Sequence, residues 1–398
     1  MLISVEDARL AARRTLPRWL FDYVDGGAYS EASLKNNFAS LSAVRFIPAI
    51  LCGVSAPDTA VKILETHQTF PLVLAPVGMG GLLSVEGEVA VVRAAAAAGI
   101  QTCLSHFSIQ SIEDIARAVD PALLMFQLYI FRDRAITRDT LQRVWNAGVR
   151  TLVVTVDTPV TPMRERDARN GFRSISKLSF RHFTQMMIRP GWTWNMAHKG
   201  GRLMANLEPY GMGKTFFAQS ATISRELDPT INWLDLKWIR EVWKGRLVIK
   251  GVLHPEDTRR SAELGAEGIV LSNHGGRQLD GAVSGFEMLS ENVQAANGRL
   301  DILVDGGFRY GSDIAKAMAL GASGVMIGRP WAFGLAAEGQ KGVADVIDYF
   351  HQGLRSTMTL LGARDIAALR EGGKDFLRDV SGAACEPVPS SSIMKEHV

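Results

Sequence analysis

The stretch Gly268–Gly281, GIVLSNHGGRQLDG, begins as an apolar run and ends in reactive side chains. Ile269, Val270 and Leu271 belong in a core, whereas His274 and Arg277 require solvation or a charged partner. An imidazole titrates near neutrality and can take a proton from a bound molecule. A guanidinium three residues away offers a planar fork that grips a carboxylate through two parallel hydrogen bonds. A base beside an anion holder, both at the end of a buried strand, implies a ligand that meets them there.

The elements that must position this pair can be read along the chain. Eight short β-rich runs occur at 70–78, 100–106, 123–129, 151–157, 246–252, 268–274, 301–307 and 324–330. Most are too continuously apolar for strands with one face in water, so both faces are expected to be covered. Helical segments separate them, and several close on a glycine just before the next strand: Gly99, Gly148, Gly265 and Gly321. Strand, helix, glycine and strand, repeated to a count of eight, predict a (β/α)8 TIM barrel rather than an open doubly wound sheet. Polar groups follow the apolar runs: Pro76-Val77-Gly78, Ser105-His106, Gln127 to Tyr129, Thr155 to Asp157, Lys250, Ser272 to His274, Asp305-Gly306-Gly307 and Gly328-Arg329. Barrel active sites form at those strand ends. Singly, Gln127 or Thr155 reads as a satisfied core residue and Asp157 as a helix cap. Chance would scatter eight such groups over both barrel faces.

The chain has 398 residues, 47% of them hydrophobic, which allows a large core. Forty-four Lys+Arg against 41 Asp+Glu leave +3, too balanced for a nucleic-acid binder. Cys52, Cys103 and Cys385 form no CxxC pair, so neither a metal site nor a disulfide framework is expected. Charged residues interrupt the N-terminus where a signal peptide needs an apolar core, and no uninterrupted apolar stretch is long enough to span a bilayer. Residues 1–66 precede the barrel at 67–380 and are expected to cover it as a helical segment, with Gly26-Gly27 ending a helix. Residues 171–229 form an insertion after the fourth strand, and 381–398 a loosely held tail.

The motif SNHGGRQLDG resembles the active-site signature of the FMN-dependent L-2-hydroxy acid dehydrogenases and oxidases. The likeness extends from LFDYVDGGAYSE through FQLYIFRDR, VTVDTP, RERDARNG and VIKGV to DGGFRYGSDIAKAMALGASGVMIGRP. RPGWTWNM, DPTINWLDLKWIREVW and the APVGMGG turn look most like bacterial quinone-linked L-lactate dehydrogenases. The resemblance implies oxidation of a 2-hydroxy acid, with L-lactate to pyruvate foremost and electrons passed to a membrane quinone. An oxidase making hydrogen peroxide from oxygen, or a dehydrogenase for a larger acid such as mandelate, stands as the alternative.

Such a reaction needs a carboxylate holder, a base and a two-electron acceptor. The resemblance makes Arg277 the main anchor and His274 the base, with Asp157 orienting the imidazole and favouring its protonated form. Tyr23, Tyr129 and Arg164 match positions that bind the acid or stabilise charge at the reacting carbon. No side chain accepts two electrons, and no GxGxxG nucleotide fingerprint is present, so FMN is expected in place of a nicotinamide. Ala75, Pro76, Val77, Gly78, Ser105, Gln127, Thr155, Ser272 and Asp305 match flavin or ribityl contacts, and Lys250 matches a cation at the flavin N1 and O2 edge. The loops Gly306-Gly307 with Arg309, and Gly328-Arg329, follow strands seven and eight, where such barrels hold phosphate. Val77 and Phe107 depart from the family, which often has a small polar residue and a tryptophan there; Gly78 stands where glycolate oxidases carry alanine. The family also implies a homo-tetramer.

From Ala168 to Leu207 there is no Asp or Glu, while Arg169, Arg173, Lys177, Arg181, Arg189, Lys199 and Arg202 supply cations. Phe180, Phe183, Met186, Met187, Ile188, Trp192 and Trp194 are interleaved with them. This mixture suits a peripheral contact with an anionic bilayer, on the cytoplasmic face of the inner membrane. A lid or a protein contact is the other reading of the same composition.

Overall fold

The computed structural model describes residues 2–170, 180–199 and 203–379. Eight parallel strands close into a barrel in sequence order: β1 (Leu72–Leu74), β2 (Thr102–Ser105), β3 (Leu124–Leu128), β4 (Thr151–Thr155), β5 (Arg246–Val252), β6 (Gly268–Leu271), β7 (Asp301–Asp305) and β8 (Gly324–Ile327). This is the (β/α)8 barrel that the repeat of apolar runs predicts. Every residue of β1 to β4, β6 and β8 is buried, as strands covered on both faces must be. Gly99, Gly148, Gly265 and Gly321 all adopt the left-handed conformation that turns a helix into the next strand.

Alternation along the strands divides the core in two. One residue from each strand, Val73, Cys103, Met125, Val153, Val248, Val270, Leu303 and Met326, points into the barrel and packs there as a separate cluster. Their neighbours, such as Leu72, Leu104, Phe126 and Val304, face the surrounding helices.

The N-terminal segment is not wholly helical. After helices Val5–Thr15, Arg18–Asp25 and Ala32–Ala43 it runs into a hairpin, Val61–Ile63 with Thr66–Gln68. Ile63 and Leu64 from this hairpin join the interior cluster and close the end of the barrel where the strands begin. Arg246 Nη1 donates to the Leu64 carbonyl, and the Leu64 N–H donates to Asp301 Oδ2 at 2.7 Å. Helix Arg18–Asp25 ends at Gly26-Gly27 as expected, but not through a left-handed glycine, for neither residue has a positive φ. Glycine is required there by close approach: a Cβ on Gly26 would lie 2.7 Å from the Asp22 carbonyl oxygen, and one on Gly27 would lie 2.8 Å from that of Gly276.

Between β4 and β5 the described chain forms helices Glu165–Arg169, Phe180–Met187, Pro190–Lys199, Phe216–Glu226 and Trp233–Val242. Its returning half is internal, since Met204, Leu207, Met212 and Ile223 pack with Met79, Ile109 and Phe131. Arg173, Lys177 and Arg202, the side chains of Arg181 and Lys199, and the tail 381–398 lie outside the described residues.

Candidate active site

The strand ends open on a cavity of about 890 Å³. β6 delivers His274 to its wall with a left-handed backbone (φ 57°), a conformation uncommon for a residue with a side chain. The turn is held by the His274 N–H, which donates to Ser272 Oγ at 2.9 Å. His274 Nδ1 lies 3.0 Å from Asp157 Oδ1, across 117 residues of sequence. Burial alone would raise the Asp157 carboxyl, but the charge and hydrogen bond of His274, with Lys250 beyond, hold it below the usual carboxylate range. Asp157 therefore stands behind the imidazole as an anion and leaves Nε2 for the ligand. Room for it comes from Gly251 in the bulge of β5, where a Cβ would sit 2.5 Å from that of Asp157.

Tyr23, Tyr129, Arg164 and Arg277 line the same cavity. Arg277 Nη1 donates to the carbonyls of Tyr23 (2.7 Å) and Gly26 (2.8 Å), and its guanidinium lies over the Tyr23 ring at 4.9 Å. These contacts fix the plane of the fork. Arg164 is half-buried with its Nε sealed from solvent and unpartnered, and its pKa falls to about 10 through desolvation and then the charge of Arg277. Two arginines held close against their repulsion call for an anion between them. Burial, followed by the negative charge of Asp157, raises the Tyr129 hydroxyl, which stays protonated and able to donate. Phe107 stacks on the Tyr129 ring at 4.6 Å. His106, beside it, accepts the Tyr129 N–H on Nδ1 at 3.2 Å; burial, then the charge of Arg143, pushes its pKa down to about 3. It is thus a neutral prop for Tyr129 and not a second base.

The opposite wall carries Ala75, Pro76, Val77 and Gly78 after β1, then Ser105, Gln127, Thr155, Lys250 and Asp305. Parallel register sets Ser105 beside Gln127 and Thr155 beside Lys250. Lys250 Nζ donates to Ser272 Oγ (2.8 Å) and Asp305 Oδ2 (2.7 Å). Burial lowers this ammonium's pKa, but Asp305 and Asp157 outweigh it and the group stays charged. Gln127 Nε2 and Asp305 Oδ1 are buried and unpartnered, a donor and an acceptor belonging to residues on one wall. That wall fits a flat polar heterocycle with a hydroxylated chain. Gly306, Gly307, Arg309, Gly328 and Arg329 follow at the ends of β7 and β8. Arg309 is half-buried over the Phe38 ring, and its pKa falls to about 10 chiefly through desolvation, so it suits a phosphate dianion.

The sequence-derived residues converge on this one cavity, with three differences in place. Ser272 and Asp157 do not line it but stand behind Lys250 and His274. Arg329 does line it, yet its guanidinium donates to the carbonyls of Val24, Gly275 and Gly26 at 2.8 to 3.0 Å. Burial, then Arg277 and Arg309, lowers its pKa to about 9, and its first task is to join the N-terminal segment to the barrel mouth. Sequence reading missed Gly251, Met79 and Asn37, whose buried side chain exchanges hydrogen bonds at 2.8 and 2.9 Å with Asn273 under the His274 turn. Only the glycine inside an apolar strand was a signal for any of these.

Comparison with known proteins agrees with this geometry. The profile of the FMN-dependent dehydrogenase family matches residues 12–374. The L-lactate dehydrogenase of Caulobacter vibrioides (strain NA1000 / CB15N) is 43% identical over 371 residues, covering 92% of this chain and 96% of that protein. That of Bartonella quintana (strain Toulouse) is 41% identical over 375 residues, with coverage of 92% and 96%. The solved structure of the monotopic membrane protein (S)-mandelate dehydrogenase superposes with a TM-score of 0.90 at 37% identity, covering 95% of this chain and 99% of that one. The chain belongs to the FMN-dependent dehydrogenase family, and it is an FMN-dependent L-2-hydroxy acid dehydrogenase.

Proposed function

We propose that the enzyme oxidises L-lactate to pyruvate and passes the electrons to a membrane quinone. On the acid's side of the cavity Phe107 stacks on Tyr129 at 4.6 Å, and the choice of L-lactate is carried by the relatives of this chain. Those named L-lactate dehydrogenase are 41 to 43% identical to it. In this reading Arg277 and Arg164 grip the carboxylate, and Tyr23 and Tyr129 hold the hydroxyl end. His274 takes one proton from the substrate, and Asp157 stabilises the imidazolium so formed. FMN, when bound, supplies the two-electron acceptor that no side chain can. Gln127, Ser105, Thr155 and the residues after β1 would hold it, with Lys250 as a fixed cation and Arg309 on the phosphate.

Membrane attachment rests on helices Phe180–Met187 and Pro190–Lys199. Phe180, Phe183, Met187, Ile188 and Trp194 are exposed there, between 56 and 83% of each. Among the described residues no helix is long and apolar enough to cross a membrane, so the contact would be peripheral. Trp192 and Arg189 do not belong to that surface. Trp192 is buried edge-on against Trp19 and donates to the Leu82 carbonyl, while Arg189 donates to the carbonyls of Leu16 and Arg13. They fasten the helical pair to the barrel. The test is anaerobic: L-lactate, L-mandelate and glycolate are added separately to the yellow protein and flavin bleaching is followed. Turnover is then measured with a soluble quinone and with oxygen. Fastest bleaching by mandelate would overturn the choice of substrate, and peroxide production exceeding quinone reduction would overturn the choice of acceptor.

A further inference from the structure

The cavity extends beyond the groups that hold acid and flavin. Its outer part is walled by Met79, Phe107, Val160, Met204, Ile223 and Leu227, contributed by the ends of β1, β2 and β4 and by the returning half of the long insertion. A small anionic hydroxy acid gains nothing from walls of this kind, because its carboxylate seeks the arginines on the other side. We propose that this apolar antechamber is the seat of the electron acceptor and that it takes the ring of a membrane quinone. The inference rests on the reading of the enzyme as quinone-linked, and it adds where the quinone sits.

Three observations support it. The far end of the barrel is closed by Ile63 and Leu64, so an acceptor must approach from the mouth. Met79, Phe107, Met204, Ile223 and Leu227 give it apolar walls, interrupted by Arg132, Ser220 and Arg225, which suits a planar ring that carries both polar carbonyls and a hydrocarbon tail. One wall of the antechamber is also tied to the exposed aromatic helices: Leu82 N–H donates to the Met79 carbonyl at 3.0 Å, and the Leu82 carbonyl accepts Trp192 Nε1–H at 2.9 Å. A tight turn thus links one wall of the cavity to the face on which Phe183 and Trp194 stand exposed. A quinone leaving a bilayer at that face would meet this opening first. Overall, one hydroxy acid and one quinone become one keto acid and one quinol: the two electrons and two protons lost by the acid reduce both quinone carbonyls to hydroxyls.

Ala221 and Val160 are exposed residues on the rim of the antechamber, so substitution there does not disturb the core. Ala221→Trp fills the opening, and Val160→Asp places a charge against an apolar ligand. Both variants are expected to keep full FMN content and the wild-type rate of anaerobic flavin bleaching by L-lactate. Their kcat/KM for decylubiquinone in detergent micelles is expected to fall about tenfold or more, the scale on which apolar pockets discriminate. Ferricyanide, small and hydrophilic, should still be reduced at the wild-type rate. If wild type reduces decylubiquinone and both variants do so equally well, the antechamber is not the acceptor site while the proposed function stands. If wild type reduces no quinone at all, the reading and the inference fall together.

Discussion

Replacing Asp157 by Asn tests the electrostatic core of the site. Asparagine keeps the shape and can still accept the His274 Nδ1–H, so ring orientation is retained and only the charge is removed. The carboxylate lies 3.0 Å from the imidazole and is largely buried, a setting in which a hydrogen bond between charged groups is worth about 1.5–3 kcal/mol. The charge component of that stabilisation grows as the imidazole takes the substrate's proton, so it is felt most in the transition state. At 1.36 kcal/mol per factor of ten, flavin reduction should slow by about 10- to 150-fold. The assay is stopped-flow bleaching of the flavin by L-lactate without oxygen, with flavin content and melting temperature as controls. Pyruvate binding should change little, since Asp157 does not line the cavity. A variant whose bleaching rate stays within a factor of about three of wild type, well under the effect expected of a charged hydrogen bond, would refute the role of Asp157.

Arg277→Lys keeps a cation but loses the fork and the paired donation to the Tyr23 and Gly26 carbonyls, so kcat/KM for the hydroxy acid should fall about 10- to 150-fold; unchanged kinetics would transfer the main anchor to Arg164. Glu88 is buried, and desolvation raises its pKa above the usual 4.5, although the N–H groups of Ile109 and Gly81 oppose the shift. Its protonated form is therefore the one the fold prefers, and stability is lost as pH rises from 4.5 through the folded-state pKa. Glu88→Gln should melt progressively higher than wild type as pH increases and match it in acid; parallel curves would show that Glu88 does not titrate in this way. Replacing Phe183 and Trp194 together by Ser should release the enzyme from anionic liposomes at low salt and leave flavin bleaching intact. A wild-type protein that stays in the supernatant under those conditions would remove the membrane contact.

The barrel was legible in the sequence because its signal is local and repeated. Buried parallel strands demand continuous apolar runs, and the return from each helix demands a left-handed residue, so Gly99, Gly148, Gly265 and Gly321 mark the fold one unit at a time. The site was legible for a related reason: barrel geometry brings all strand ends to one face, so Lys250, His274 and Asp305 share a cavity once the strands are known. The sequence could not say which polar group would meet which. The pairing of Asp157 with His274 depends on the bulge at Gly251, and the pairing of Asn37 with Asn273 on a helix 236 residues upstream lying across the mouth. Arg309 and Arg329 look alike in sequence, each within two residues of a glycine in a loop after a late strand. Only the fold separates them, since Arg329 meets three backbone carbonyls of the mouth whereas Arg309 lies over the Phe38 ring. Trp192 and Trp194 stand two residues apart in one basic, aromatic segment, yet one is buried against Trp19 and the other is exposed. Composition is shared by every face of a helix, and which face meets the protein is decided by what packs beneath it.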